Sequence, residues 1–364
     1  MRRIVYSALL LVHFFLVKTN ASSSIPIIDL AGFLAPNATQ DSKMKVAKQW
    51  DAALKTFGFA AIVNHGVANE TRADIFSAAL NFFRLPHDEK LRARLSQAYG
   101  GGNGGYIPMG VESVSRTLGK KAPPDLVENF VYLSSTLGAS SGTVDGPAAS
   151  MHAPARAYWA SLSELVSHLH ELSALSLGLP ETHFFHKFYE PDPNFFLRLA
   201  YYPPIDDDGD SSEEAQGECN AKALRYGAHT DYQGFTILLP DPQRPGLEVY
   251  PPHAASSESY DDPAAWIPVH EGLAEAGALV VNIGDLMQQW TNDRWHSTLH
   301  RVTNPPKGSS ERHYDRLSLA FFTGPREDAV IEVLPECVAS NERPKYGPVR
   351  SGDHLRSKLE TSNV

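Results

Sequence analysis

The chain has 364 residues, 42% of them apolar and 20% charged, with a formal net charge of −10. This is a globular composition with material for a sizeable core, and its acidity, without any basic cluster, argues against a nucleic-acid partner. Cys219 and Cys337 stand far apart and outside any CxxC pair, which speaks against a zinc ribbon, an iron–sulfur cluster or a disulfide framework. One bridge between them stays open if the chain is exported.

The first element in chain order is a leader. Met1-Arg2-Arg3 precedes an apolar run over 4–17 and a small residue, Ala21. That pattern predicts a cleavable targeting peptide at 1–21, too short for a membrane span, and so a mature chain in the secretory route. The other reading is an ordinary apolar leader on a cytoplasmic protein. Asn37 and Asn69, each two residues before a threonine, would accept glycans only in the first case.

Residues 25–30 form a short β-rich run. Met44, Val46, Trp50, Leu54 and Phe57 recur at helical spacing over 43–57. Residues 58–63 read as a buried strand, and 70–84 as a second helix stopped by Pro86. The glycine-rich stretch 99–106 lacks the Lys-Ser/Thr of a phosphate loop and is expected to be a flexible crossing near a site mouth. Tyr158, Leu162, Leu165, Leu169 and Leu172 mark the longest amphipathic helix, over 154–179.

After Pro191 short β-type runs follow at 195–202, 224–229, 235–239, 247–250, 266–269, 278–283, 297–302, 317–322 and 330–333. Their spacing predicts a double-sheet jelly roll or barrel. The polar segments 205–220 and 251–263 read as exposed insertions. The expected organisation is an N-terminal region of helices and short strands (24–135), a long helix and linker (150–190), a β-domain (191–335) and a C-terminal segment (336–364). Its class is α+β, mainly β, with helices packed on the β core.

The chemistry concentrates in the β-domain. His229 and Asp231 are two residues apart, so in a strand they share a face. With His300 they make two imidazoles and a carboxylate, a set that leaves open positions on a metal. His296 cannot share that ion with His300, because four residues of strand span about 13 Å. His183 and His186 read as surface or packing histidines. Arg316 and Ser318 share a face of their own strand, where a buried guanidinium suits a carboxylate ligand; an ion pair with one of the chain's own acids is the competing reading.

The chain resembles the 2-oxoglutarate/Fe(II)-dependent dioxygenases of the isopenicillin N synthase-like branch. The likeness lies in residues 25–30, 58–66, 82–86, 199–203, 282–286, 300–302 and 346–355, in combination with the residues above. It implies a double-stranded β-helix with iron held by His229, Asp231 and His300. It also implies Arg316, Ser318 and Tyr202 on 2-oxoglutarate, dioxygen as cosubstrate and ascorbate as accessory reductant. Tyr106, Phe321 and Phe322 are expected to shape the substrate pocket. The expected substrate is a small specialised metabolite, hydroxylated, desaturated or cyclised with release of succinate and CO2, by a monomer with no membrane attachment in the mature chain.

Ala200 stands where many plant members have Asn, and the intervals from Asp231 to His300 and from His300 to Arg316 are longer than usual. Two other readings stay open. An oxidase of the isopenicillin N synthase type would use Arg316 and Ser318 for its substrate's own carboxylate. A non-catalytic binding protein could keep the same scaffold.

Overall fold

The computed structural model of the chain describes residues 24–94, 104–119, 122–137, 146–205, 223–254, 260, 262–269, 272–273 and 276–362. The leader, residues 95–103 with the first part of the glycine-rich stretch, most of the acidic insertion and Cys219 lie outside them.

The first half of the chain runs β1 (Ile27–Asp29), α1 (Ala31–Leu34), α2 (Gln40–Thr56), β2 (Phe59–Val63), α3 (Asn69–Phe83) and α4 (His87–Leu91). It continues with β3 (Gly105–Ile107), β4 (Glu128–Leu133), α5 (Ser134–Leu137), α6 (Ala149–Leu177) and α7 (His186–Tyr189). The second half carries β5 (Phe196–Tyr202), β6 (Tyr226–His229), β7 (Phe235–Leu239), β8 (Leu247–Tyr250), β9 (Ile267–Pro268) and β10 (Leu279–Ile283). The short helix α8 (Asp285–Trp290) leads to β11 (Leu299–Val302) and β12 (Arg316–Phe322). The chain closes with β13 (Val330–Ile331), β14 (Val349–Arg350) and α9 (Ser351–Ser362).

Two sheets make the jelly roll. The larger has the order β1-β2-β10-β7-β12-β5-β4-β3, and the smaller β6-β11-β8-β9. The N-terminal region therefore adds four strands to the larger sheet as well as helices. Period-two alternation gives that sheet two different faces. Its outer face, including Leu197, Leu199, Ile237, Leu317, Leu319 and Phe321, packs with Trp50 of α2 and the apolar stripe of α6. Its inner face, including Phe59, Ala61 and Val280, meets Leu247 and Val249 of the smaller sheet.

Helix α6 holds the outer layer in place. Tyr158, Leu162, Leu165, Leu169 and Leu172 are buried along it, each leucine worth roughly 1.5–3 kcal/mol of transfer free energy. The helix begins earlier than the expected Pro154. Pro154 costs only the bond to the carbonyl of Ser150, which is exposed, so water can take it. The helix stops at Gly178, whose φ of +73° suits glycine. At the other end of the fold, Thr39 caps α2 by accepting from the Ser42 amide at 3.2 Å.

Candidate metal centre

Strand pairing brings the three predicted ligands together. His300 on β11 is the direct register partner of His229 on β6, and the two rings lie 4.2 Å apart between centroids. Asp231 follows β6 in the turn towards β7. Its Oδ1 is 3.7 Å from His229 Nε2 and 3.8 Å from His300 Nε2. All three side chains are buried. His229 Nδ1 meets the Gly227 carbonyl at 2.9 Å and His300 Nδ1 meets the Thr298 carbonyl at 3.0 Å. A carbonyl can only accept, so Nδ1 carries the proton in both rings and each Nε2 lone pair faces Asp231.

The larger sheet grips the carboxylate from below. Thr236 Oγ1 on β7 and Asn282 Nδ2 on β10 donate to Asp231 Oδ2 at 2.5 and 2.6 Å, leaving Oδ1 for the ion. Burial, then the His300 charge, pushes the His229 imidazole down to about 3, so it stays neutral and ready to ligate. Burial alone would raise Asp231, but the two imidazoles and the Thr236 and Asn282 hydrogen bonds outweigh it and hold the carboxyl below its ordinary value. Two imidazoles and a carboxylate on one face fit Fe(II) with coordination positions to spare.

Backbone contacts fix the turn that carries Asp231. The Gly284 amide donates to the Gly234 carbonyl and the Asp285 amide to the Asp231 carbonyl, both at 2.8 Å. A Cβ at Gly284 would lie 2.7 Å from the Gln233 amide nitrogen, so only glycine allows this approach. Asp285 in turn accepts from Ser297 Oγ at 2.7 Å and pairs with Lys358 of α9 at 2.6 Å.

The predicted anion site lies on the same inner face, one end deeper. Arg316 on β12 is opposite Tyr202 on β5, and Ser318 is opposite Ala200. The Arg316 guanidinium sits 5.0 Å from the Tyr202 ring centroid and donates to Ser318 Oγ at 3.3 Å. It is buried and, among the described residues, forms no ion pair with a carboxylate, so it is free to take an anionic ligand. Asn129 of β4 is the register partner of Ala200 on its other side, but its Nδ2 donates to Glu112 at 2.8 Å.

A cleft of about 670 Å³, including its open mouth, reaches His229 and Asp231 from the other end. Phe196 and Phe322 stack along its wall at 4.6 Å between centroids. Arg198 pairs with Glu112 at 3.2 Å and donates to Tyr226 Oη at 2.5 Å. Leu355 and Leu359 of α9 also line the cleft.

Two expected pocket residues are elsewhere. Phe321 is one step from Phe322 and therefore on the outer face, edge-on to Trp159 of α6 at 4.9 Å. Tyr106 is fully buried on that same outer side, edge-on to Phe82 of α3, and its hydroxyl donates to Glu128 at 2.9 Å. Neither lines the cleft. His296 lies in the loop before β11, as its distance from His300 in sequence required.

Sequence reasoning gave no role to Arg225, Thr236, Asn282 or Arg198. Arg225 is buried, donates to the Tyr314 carbonyl and forms no ion pair among the described residues. Burial and the neighbouring Arg316 charge push its guanidinium down to about 10, so two cations share the deep end of the barrel. The signal was its place four residues before His229, just ahead of the ligand strand.

Comparison with known proteins gives matches along most of the chain. Residues 25–147 match the family described as non-haem dioxygenase in morphine synthesis N-terminal, and 193–325 match the 2OG-Fe(II) oxygenase superfamily. The 2-oxoglutarate-dependent dioxygenase caaD of Aspergillus niger is 32% identical over 296 residues, 79% of this chain and 81% of that protein. Gibberellin 20 oxidase 5 of Arabidopsis thaliana is 33% identical over 331 residues, 89% of this chain and 74% of that protein. Among solved structures, a full-length Neurospora crassa protein in complex with alpha-KG superposes with a TM-score of 0.75 at 26% identity, covering 94% of this chain and 98% of that one. JOX2 in complex with 2OG, Fe and JA gives 0.67 at 27% identity, covering 94% and 89%.

Proposed function

The chain belongs to the 2OG-Fe(II) oxygenase superfamily, and on that premise we propose that its cleft oxidises a C–H bond of a small, largely apolar metabolite with a flat portion and one polar group. The observation that carries the reading is a single inner face bearing the His229, Asp231 and His300 triad, with an anion site at one end and an apolar cleft at the other. Fe(II) held by the triad would activate dioxygen, the four-electron oxidant, two electrons coming from 2-oxoglutarate as it is decarboxylated to succinate and CO2 and two from the substrate.

The residues of the chain divide the remaining work. His229, Asp231 and His300 hold the ion. Arg316 and Ser318 fix the distal carboxylate of 2-oxoglutarate, and Tyr202 lies against the guanidinium that binds it. Phe196 and Phe322 offer a flat wall, while Arg198, Glu112 and Tyr226 offer polar contacts that orient one end of the substrate. Phe59, edge-on to His300 at 5.3 Å, helps keep water from the triad. Solved relatives with thymine or JA in complex support a small-molecule substrate.

The test is a panel of planar aromatic, heteroaromatic and alicyclic metabolites, with succinate release measured in the presence of Fe(II) and 2-oxoglutarate. At least one flat member is expected to stimulate succinate formation and to appear as a product one oxidation step higher. Substrate oxidation that proceeds at full rate without 2-oxoglutarate would overturn the assignment.

A further inference from the structure

Among the described residues, a second group of side chains brings three potential ligand atoms within reach of one ion: Glu171, His183 and His186, all within 4.8 Å of one another. It lies on the helical layer, away from the cleft. Glu171 is carried by α6. The His186 amide donates to the His183 carbonyl at 3.1 Å, and this turn sets the two rings 4.8 Å apart between centroids.

The spacing matches that of a metal centre. Glu171 Oε1 is 3.6 Å from His183 Nδ1, against 3.7 and 3.8 Å from Asp231 to its two imidazoles. A tetrahedral ion with bonds of about 2.0–2.1 Å needs its donors roughly 3.4 Å apart, so little movement is required. Glu190 Oε1 also lies 3.7 Å from His186 Nδ1, outside the three-residue group. The His186 side chain is 21% exposed and its Nε2 is enclosed without a hydrogen-bond partner. The His186 ring thus offers a buried, unpartnered nitrogen, while His183, at 67%, leaves the outer side open for an ion to enter.

We propose that Glu171, His183 and His186 form a second divalent-metal site that fastens the segment 183–189 to α6. Two imidazoles and one carboxylate select a borderline late first-row ion such as Zn(II), Co(II) or Ni(II) over Mg(II) or Ca(II). The site is structural and exchangeable, because His183 is exposed and none of the three residues lines the cleft. It is independent of the iron chemistry, so the failure of either leaves the other standing. The two histidines, read from sequence as surface or packing residues, acquire a joint role through Glu171 on the preceding long helix.

Zn(II) binding to the full chain, measured by chelator competition at micromolar free metal, tests this. His183 is exposed, so His183→Ala is expected to fold as the parent does. That variant should bind one equivalent of Zn(II) fewer than the parent, and Glu171→Gln should do the same. Zn(II) should also raise the Tm of Asp231→Ala, in which the iron centre is disabled, but not that of Asp231→Ala/His183→Ala. Equal Zn(II) stoichiometry in the parent and His183→Ala would overturn the proposal.

Discussion

At the residue scale, the site works by leaving each functional atom one partner short. His229 and His300 spend Nδ1 on backbone carbonyls and keep Nε2. Asp231 spends Oδ2 on Thr236 and Asn282 and keeps Oδ1. Arg316 spends Nη1 on Ser318 and Nε on the Arg244 carbonyl, and its charge meets no carboxylate among the described residues. Arg316→Gln should therefore raise KM for 2-oxoglutarate roughly 30–150-fold, the equivalent of about 2–3 kcal/mol for a charge-assisted carboxylate contact. Succinate formation against 2-oxoglutarate concentration checks it, and an unchanged KM would contradict the anion-site assignment. The Arg-x-Ser pair was legible because two-residue spacing along one strand puts both side chains on one face. The triad was legible from its residue types and order, although Asp231 lies in the turn after β6 and not on the strand that the spacing suggested, and His300 lies on another strand. Thr236, Asn282 and Arg225 were not, because their roles depend on neighbouring strands whose register no local pattern specifies.

At the element scale, Asp51 of α2 joins the helical layer to the loop that feeds β11 and hence His300. Its Oδ1 accepts from Arg294 Nε at 3.0 Å and Trp295 Nε1 at 2.9 Å, and its Oδ2 pairs with Lys55 at 2.7 Å. Burial raises this carboxyl, but the Arg294, Lys55 and Trp295 hydrogen bonds overcome it and hold it below its ordinary value of 3.8. A lowered folded value means stability that is present above the unfolded value and lost as pH falls through the folded one. Asp51→Asn should cost about 1 kcal/mol near neutrality, a charged hydrogen-bonded contact discounted for its partial exposure. The gap between parent and variant in urea unfolding should close as pH drops below 3.8. A gap constant with pH would contradict this. Helices α2, α3 and α6 and most β-domain strands were visible as periodic runs, whereas α9 was read only as a C-terminal segment. Strands β3 and β4 and helix α8 were missed: β3 and α8 are too short to show a period, and β4 is buried on both faces. Phe321 was misplaced because alternation sends consecutive strand residues to opposite faces, and Tyr106 because the end of the glycine-rich stretch forms the buried strand β3 and not a crossing at the site mouth.

At the scale of the whole molecule, the larger sheet separates two jobs. Its outer face and α2, α3 and α6 form the main apolar core, which makes the inner face rigid enough to hold a triad and an anion site in register. The C-terminal helix closes this arrangement over the cleft. His354 Nε2 meets the Tyr232 carbonyl at 2.8 Å, Gln233 donates to Ser351 at 3.0 Å, and Lys358 reaches Asp285. Metal turn, cleft wall and chain end are thus one connected unit, on whose inner face iron and 2-oxoglutarate bind together. The direct measurement is an anaerobic titration of the Fe(II)-loaded parent and of Asp231→Ala with 2-oxoglutarate, followed by visible absorption. The parent should show an absorption change that saturates at one 2-oxoglutarate per chain, and Asp231→Ala should show none. No change in the parent, or the same change in both proteins, would contradict the account.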